Sequence, residues 1–288
     1  MDTITRAWEY EDIEDFKRLY PTKTTKELSI IFNRTVGSLS DKANELGLYK
    51  NKFNSNYFDK IDSADKAYWI GFIWCDGSMV HRIRKNGRHE YNFKLSLMES
   101  DNLHLEKFLD CIDGKYYSVK IYKACSAYKK DGKESRVFIT NAHLGNILIE
   151  RYGIFSNRHD ATKLLNEIPK EYQRDFIRGV IDADGTFCHY YVDKTKSKYS
   201  VTIGGSDTLL FGVKNILEEN GLIEEKERSF NKRHKEEGRD FGYSTLSLTG
   251  RPQVLRILDW LYKDSNIYLD RKYNKYLNIK KEGDANVN

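Results

Sequence analysis

The chain has 288 residues, 39% of them hydrophobic and 13% aromatic, which is enough for about two compact domains and excludes a disordered polymer. The longest nearly apolar stretch, residues 68–75, is much shorter than the ~20 residues that span a bilayer, and the N-terminus lacks a signal-peptide pattern, so we expect a soluble, intracellular protein. Four scattered cysteines without a CxxC pair exclude zinc ribbons and redox dithiols, and the net charge of +5 arises entirely after residue 50.

The first fifty residues predict three short helices joined by turns. Hydrophobic residues recur at helical spacing in three stretches; Pro21 stops the first helix and Gly47 ends the third. The helices are expected at residues 9–20, 26–32 and 36–46. This arrangement resembles a helix-turn-helix module of the Myb-like or phage-repressor-like kind.

A helix-turn-helix module would present its third helix to DNA. The polar side of that helix carries Ser40, Lys42 and Asn44, which are therefore candidate DNA contacts. The segment is slightly acidic, with 8 Lys and Arg against 9 Asp and Glu, so a small packing bundle is the alternative interpretation. Residues 1–50 are expected to form a separate N-terminal domain.

Beyond a polar linker the chain repeats itself with an offset of 108 residues. YWIGFIWCDGSM at residues 68–79 recurs as FIRGVIDADGTF at residues 176–187. Each copy is followed by strands in which hydrophobic and polar residues alternate, then by a helix, more strands and a closing helix. The sequence therefore predicts an α+β fold of two pseudo-symmetric αββαββα repeats, at residues 58–165 and 166–282, after the small all-α module.

The repeated segment resembles the nine-residue motif of the LAGLIDADG homing endonucleases. The matching stretches are WIGFIWCDG at residues 69–77 and IRGVIDADG at residues 177–185, and the likeness spans about residues 58–282. Two motifs on one chain imply a pseudo-two-fold monomer that cuts both strands of a long, pseudo-palindromic DNA site. The resemblance also implies a mobile intron or phage as the source, and thus a bacterial, phage-host or organellar location.

Small residues at helical spacing predict that the two motif helices pack on each other. Ala67, Gly71 and Cys75 lie four apart in the first helix, as do Gly179 and Ala183 in the second. Small side chains on one face let two helix backbones approach closely.

Both motif helices are expected to end at an aspartate, Asp76 or Asp184, followed by Gly77 or Gly185 as a C′ residue. A carboxylate at a helix C-terminus opposes the helix dipole by about 0.3–1 kcal/mol. Packing the helices side by side would also bring the two like charges together. Divalent cations would reverse both penalties, and oxygen ligands are the ones that Mg²⁺ prefers, with Mn²⁺ as another possible cation.

The resemblance implies roles for particular residues around this pair. Asp76 and Asp184 would be the essential metal-binding carboxylates, one for each strand cut, and the carbonyls of Cys75 and Ala183 would be further ligands. Asp182 would be structural, and the first copy has Trp74 at that position.

The family also places a basic or amide side chain near each metal. Lys94 is the candidate catalytic residue of the first copy, with Arg136 as the alternative. In the second copy Ser200 is expected to align with Lys94, which leaves the basic residue of that copy unassigned.

Basic residues cluster in the predicted hairpins and their loops, interleaved with aromatic residues. A β-ribbon can lie in the major groove and read base edges while cations contact phosphates. The candidate DNA-binding residues there are Arg82, Arg84, Lys85, Arg88, Lys120, Arg136, Lys194, Lys196, Lys198, Arg228, Lys232 and Arg233.

These observations predict a monomeric, site-specific double-strand DNA endonuclease with an N-terminal module that adds affinity by tethering. A DNA-binding transcription regulator is the first alternative, and loss of the acidic pair would be its expected mark. An intron maturase is the second, with the basic surface used on RNA. Both acids are present in this sequence.

Overall fold

The computed structural model describes residues 7–48, 52–124, 132–156, 158–191, 197–223, 230–232 and 243–285. The chain divides into two compact units, Met1–Asn54 and Ser55–Asn288. Every helix within the described residues is too short or too polar to cross a membrane.

The first unit contains the three predicted helices. They are α1 (Tyr10–Leu19), α2 (Thr25–Phe32) and α3 (Val36–Glu45). Thr24 and Glu27 form a capping box at the start of α2, and the Thr35 side chain caps α3. The helices enclose a small core of Phe16, Leu28, Leu39 and Ala43.

The second unit begins with the first αββαββα repeat, as predicted. Its elements are α4 (Ala64–Asp76), β1 (Gly77–Ile83), β2 (His89–Met98), α5 (Asn102–Cys111), β3 (Lys120–Lys123), β4 (Lys133–Thr140) and α6 (Ala142–Asn146), which continues as a π-helical turn over Ile147–Arg151. The four strands form an antiparallel sheet in the order β1-β2-β4-β3.

The second repeat has the same order of elements. After the short helix α7 (Thr162–Asn166) come α8 (Gln173–Asp184), β5 (Gly185–Tyr191), β6 (Ser197–Ser206), α9 (Asp207–Glu219), β7 (Phe230–Lys232), β8 (Tyr243–Thr249) and α10 (Arg251–Tyr262). Its sheet order, β5-β6-β8-β7, matches that of the first. A final helix, α11 (Asp270–Ala285), follows the closing helix α10 and is additional to the predicted αββαββα order of elements.

Each sheet packs one face against helices and leaves the other face open. In the first sheet Phe93, Leu95 and Val137 are buried, because α4 and α5 cover that side. Lys94 and Phe138 belong to the opposite side of the same strands. We call this second side the open face of the sheet.

The motif helices α4 and α8 pack on each other, as their small residues predicted. A Cβ built on Gly71 would overlap the carbonyl oxygen of Phe176, and one built on Gly179 would overlap that of Tyr68. Tyr68 and Phe176 are themselves equivalent by the 108-residue offset. The contact is therefore reciprocal, which is the expected signature of a pseudo-two-fold axis between the repeats.

Candidate catalytic centre at the helix ends

The two motif aspartates are the last residues of their helices, as the sequence predicted. The glycines that follow differ from the expectation of a left-handed C′ residue, because Gly77 and Gly185 have φ of −81° and −78° and open the next strand. Glycine is needed there for space. A Cβ would lie 2.5 Å from the Ile73 carbonyl oxygen at the first site and 2.6 Å from that of Ile181 at the second.

The aspartates meet across the α4–α8 contact and repel each other. Burial, together with the charge of Asp184, raises the pKa of Asp76 to about 7, against the opposing effect of nearby cations. Burial also raises the pKa of Asp184, although its side chain is the more exposed of the two. Ionising both carboxyls in the absence of a bound cation therefore costs free energy in the folded protein.

Two pockets open at this point, one for each aspartate. A pocket of about 370 Å³ contains Asp184 and Cys75, and a second, of about 660 Å³, contains Asp76 and Ala183. Each pocket thus combines the carboxylate of one repeat with the residue that precedes the aspartate of the other repeat. The arrangement makes two half-shared centres, related by the pseudo-two-fold axis.

Both pockets border the open face of the first sheet. Ser78 of β1 lines the Asp184 pocket, and Ser96 and Met98 of β2 line the Asp76 pocket. A molecule lying on the open face would therefore have access to the carboxylates.

Arg158 supplies the Asp184 pocket with a cation that the sequence did not reveal. Its guanidinium donates to the carbonyl oxygens of Trp74 and Cys75, the latter at 3.0 Å, and lies 5.4 Å from the centre of the Trp74 ring. It satisfies carbonyls that the end of α4 leaves without helical partners. The same contact engages the Cys75 carbonyl, which had been expected to bind metal.

Lys272 donates hydrogen bonds to carbonyls at the end of α8, as Arg158 does at the end of α4. Its buried ammonium donates to the carbonyls of Ile181 and Gly185, and its pKa falls to about 8 because of burial and the neighbouring Arg271. Arg271 lines the Asp76 pocket, where its guanidinium is 2.7 Å from the Asp101 carboxylate. Each centre therefore has its own basic side chain, Arg158 at one and Arg271 at the other.

Asp182 has a different environment from the two terminal aspartates. It is fully buried and accepts hydrogen bonds from the hydroxyls of Tyr68 (2.8 Å) and Tyr262 (2.5 Å) and from the backbone N–H of Leu269 (2.8 Å). Because Tyr68 belongs to the first repeat, the carboxylate joins the two halves. Its position fits the structural role that was expected of it.

Lys94 lies on the open face of β2, opposite Ser78 of β1 and Phe138 of β4. The strand register corrects its expected partner in the second repeat. Ser78 pairs with Lys94 as Thr186 pairs with Thr202, so the equivalent residue is Thr202 and not Ser200. Neither Thr202 nor Ser200 carries a positive charge, so this strand gives the second repeat no counterpart of Lys94.

Arg136 also lies on the open face, across from Ser96 at the rim of the Asp76 pocket. It forms an ion pair with Glu134 and stacks 4.7 Å from the centre of the Tyr122 ring. Its role as the alternative basic residue stays a prediction.

The remaining hairpin cations fall into two groups. Arg82, Lys85, Arg88, Lys120 and Lys198 are exposed, and Arg84 is exposed but pairs with Glu90 through two hydrogen bonds of 2.7 and 3.1 Å. Lys194, Lys196, Arg228 and Arg233 lie outside the described residues, and for Lys232 only the backbone of β7 is described.

In the N-terminal unit the three candidate contacts on α3 differ in exposure. Asn44 is exposed, whereas the Ser40 hydroxyl donates to the Val36 carbonyl at 2.9 Å. Only 13% of the Lys42 side chain is exposed, and its ammonium pairs with Glu45 at 2.7 Å. Contact of Lys42 with DNA would require that ion pair to open.

The donors in the two pockets fit a hard divalent cation. The Asp184 pocket offers one carboxylate, with the hydroxyls of Ser78 and Ser156 beside it. The Asp76 pocket offers Asp76 and is also lined by Glu99, Asp101 and Glu134. Within the described part of the chain, no group of three or more His, Cys, Asp or Glu side chains could hold a metal alone. A bound cation would keep several water or phosphate ligands, which is how Mg²⁺ is usually held.

Comparisons with known proteins bear on the fold. No protein-family model and no curated protein sequence matches the chain. Solved structures do match. One is the I-SmaMI LAGLIDADG homing endonuclease bound to cleaved DNA, which has a TM-score of 0.51 and 14% identity over 75% of this chain and 87% of that chain.

Two further structures are similar to the same extent. The LAGLIDADG meganuclease I-AabMI bound to uncleaved DNA has a TM-score of 0.51 and 13% identity, over 76% of this chain and 90% of that chain. The I-LtrWI LAGLIDADG homing endonuclease bound to target DNA has a TM-score of 0.50 and 14% identity, over 77% of this chain and 91% of that chain. The chain has the LAGLIDADG homing endonuclease fold, with both repeats present.

Proposed function

We propose that this protein is a monomeric, site-specific endonuclease that cleaves both strands of duplex DNA with the help of divalent cations. The observation that carries the proposal is the pair of pockets at the ends of α4 and α8. Each joins Asp76 or Asp184 to the opposite repeat and to a basic side chain. Two equivalent hydrolytic centres suit a substrate with two strands.

At each centre the carboxylate and the basic side chain would have different roles. Asp76 and Asp184 would bind the cation, and Arg158 and Arg271 would offset charge that builds up on the phosphate. When bound, a divalent cation supplies a more acidic water and stabilises the leaving oxygen. Burial keeps the Asp76 carboxylate poorly hydrated, which strengthens its attraction for a cation.

Duplex recognition is assigned to the open faces of the two sheets. The exposed cations at the β1–β2 hairpin and on β3 can neutralise phosphates, and open-face side chains can reach base edges. The N-terminal unit would add affinity as a linked second binding site. Because genomic DNA would be the substrate, we place the protein inside the cell.

The test is incubation of the protein with its own locus lacking any insertion, with Mg²⁺ and then with EDTA. We expect a double-strand break with Mg²⁺ and intact DNA with EDTA. Asp76→Asn and Asp184→Asn should abolish the double-strand break yet keep DNA affinity, because each removes charge repulsion at the bound phosphate.

The same assay separates the alternatives. Binding without cleavage under any divalent cation would favour a transcription regulator. Binding to intron RNA with rescue of splicing would favour a maturase. The retained acidic pair, which neither alternative needs, favours the nuclease.

A further inference from the structure

An aromatic side chain stands on the open face of the first sheet, where polar residues predominate. Phe138 of β4 is 44% exposed, and its strand partner across the sheet is Lys94. Single exposed hydrophobic residues are common on protein surfaces and need no explanation. Phe138, however, is part of a cluster.

Tyr122 of β3 extends the apolar surface. Its ring meets Phe138 edge to face, with centroids 5.9 Å apart, and Arg136 stacks on Tyr122 at 4.7 Å. The edge-to-face contact and the stacked guanidinium therefore favour this arrangement of the two rings. Because Arg136 covers Tyr122, Phe138 is the member of the pair that presents apolar surface outward.

Cations surround this apolar surface. Lys94 is the strand partner of Phe138, Arg136 is two residues away on the same face, and Lys120 pairs with Arg136 across β3. Such a surface has charge complementary to a phosphate backbone, and the apolar side chain exposed among these cations is Phe138. Met98 is also exposed on this face, but it lies at the rim of the Asp76 pocket. In the major groove the apolar group that projects toward a protein is the 5-methyl group of thymine.

The equivalent position in the described part of the second repeat is polar. Lys94 pairs with Phe138 as Thr202 pairs with Ser247, so Ser247 occupies the equivalent position. Its hydroxyl is 3.5 Å from that of Thr202, which makes the surface polar. The two halves would therefore read different chemistry at corresponding positions of the target.

We infer that Phe138 is a specificity residue that contacts a thymine 5-methyl group in the half-site read by the first repeat. This inference rests on the proposed DNA endonuclease function and names one element of its target. Loss of the methyl group from that thymine would leave the Phe138 surface facing water in the complex. The second half-site would have no equivalent methyl dependence.

The experiment replaces each thymine of the cleaved target, one at a time, by deoxyuridine, which lacks only the methyl group. Dissociation constants of the catalytically inactive Asp184→Asn protein are measured for every duplex. We expect one thymine, or two neighbours, whose replacement weakens binding about 3–10-fold. The same replacements should have no effect when Phe138→Ser is added.

Two further variants serve as a conservative replacement and as a control. Phe138→Leu should retain part of the methyl dependence, because an apolar side chain remains. Leu103→Ser removes a residue that is 64% exposed on α5, away from the open face, and should leave the pattern unchanged. Thermal melts of each variant establish that it is folded.

The outcomes distinguish the inference from the function on which it rests. If the protein binds its target but no thymine depends on its methyl group, the inference is wrong. It is equally wrong if the dependence persists in Phe138→Ser. If no duplex is bound or cut at all, the proposed function itself has failed.

Discussion

Removing one of the two candidate catalytic carboxylates should make the metal-free protein more stable. Asp76 has a pKa of about 7 in the folded chain, against 3.8 for an ordinary aspartate. Between these values the folded protein binds more protons than the unfolded chain. Its stability therefore falls as the pH rises through this window, and the full penalty is present above pH 7.

The size of the effect follows from the shift. About three pKa units correspond to about 4 kcal/mol at most, and partial solvent exposure of Asp76 reduces this to about 2 kcal/mol. For a unit of this length, 2 kcal/mol raises the melting temperature by about 4–8 °C. Asp76→Asn should show this gain at pH 8 and much less of it at pH 5, where the native carboxyl is protonated.

Thermal unfolding followed by circular dichroism in EDTA measures the difference directly. Asp110→Asn, at an exposed position on α5, is the matched control and should leave the melting temperature unchanged. Addition of Mg²⁺ at pH 8 should raise the melting temperature of the native protein more than that of Asp76→Asn. An Asn variant that is no more stable than the native protein at pH 8 in EDTA would refute the electrostatic account of the site.

Three other changes test the framework around the site. Gly179→Ala should cost about 3 kcal/mol or more in a urea titration, because its Cβ overlaps the Tyr68 carbonyl, whereas Gly37→Ala, with no atom closer than 4.0 Å, should change stability by less than about 1 kcal/mol. Equal effects of the two would contradict the close helix contact. Arg158→Met should make nicked plasmid accumulate, since only the Asp184 pocket loses its basic side chain; direct appearance of linear plasmid would argue against that assignment. Deleting residues 1–54 should weaken DNA binding in a gel shift but leave the cut position unchanged on a sequencing gel, and a displaced cut would show that the N-terminal unit takes part in positioning.

The repeat carried most of the fold information in the sequence. Both αββαββα units, the packing of α4 on α8 and the place of the two aspartates follow from the 108-residue offset and the spacing of Gly71 and Gly179. The equivalence of Lys94 with Ser200 was wrong, because the 108-residue offset itself maps Lys94 to Thr202. Side chains alternate with a period of two along a strand, so alternation alone cannot detect a slip of two residues, whereas the offset and the strand register can.

Other features of the site could not be predicted from the spacing of residues within the motifs. Arg158 and Lys272 reach the ends of α4 and α8 from more than eighty residues away, so no spacing within the motif reveals them. Gly77 was expected to be a left-handed C′ residue, but its φ is −81° and glycine is needed there because a Cβ would overlap the Ile73 carbonyl oxygen. Glycine serves both purposes, and only the backbone angles distinguish them.

We propose that two divalent cations bind at the ends of α4 and α8 when DNA lies on the open faces of the sheets. Anomalous diffraction from crystals of the protein with its target and Mn²⁺ tests this directly. We predict one peak in the pocket of Asp76 and Ala183 and another in the pocket of Asp184 and Cys75. Manganese peaks elsewhere on the complex, with none beside either aspartate, would show that Asp76 and Asp184 do not bind the metal.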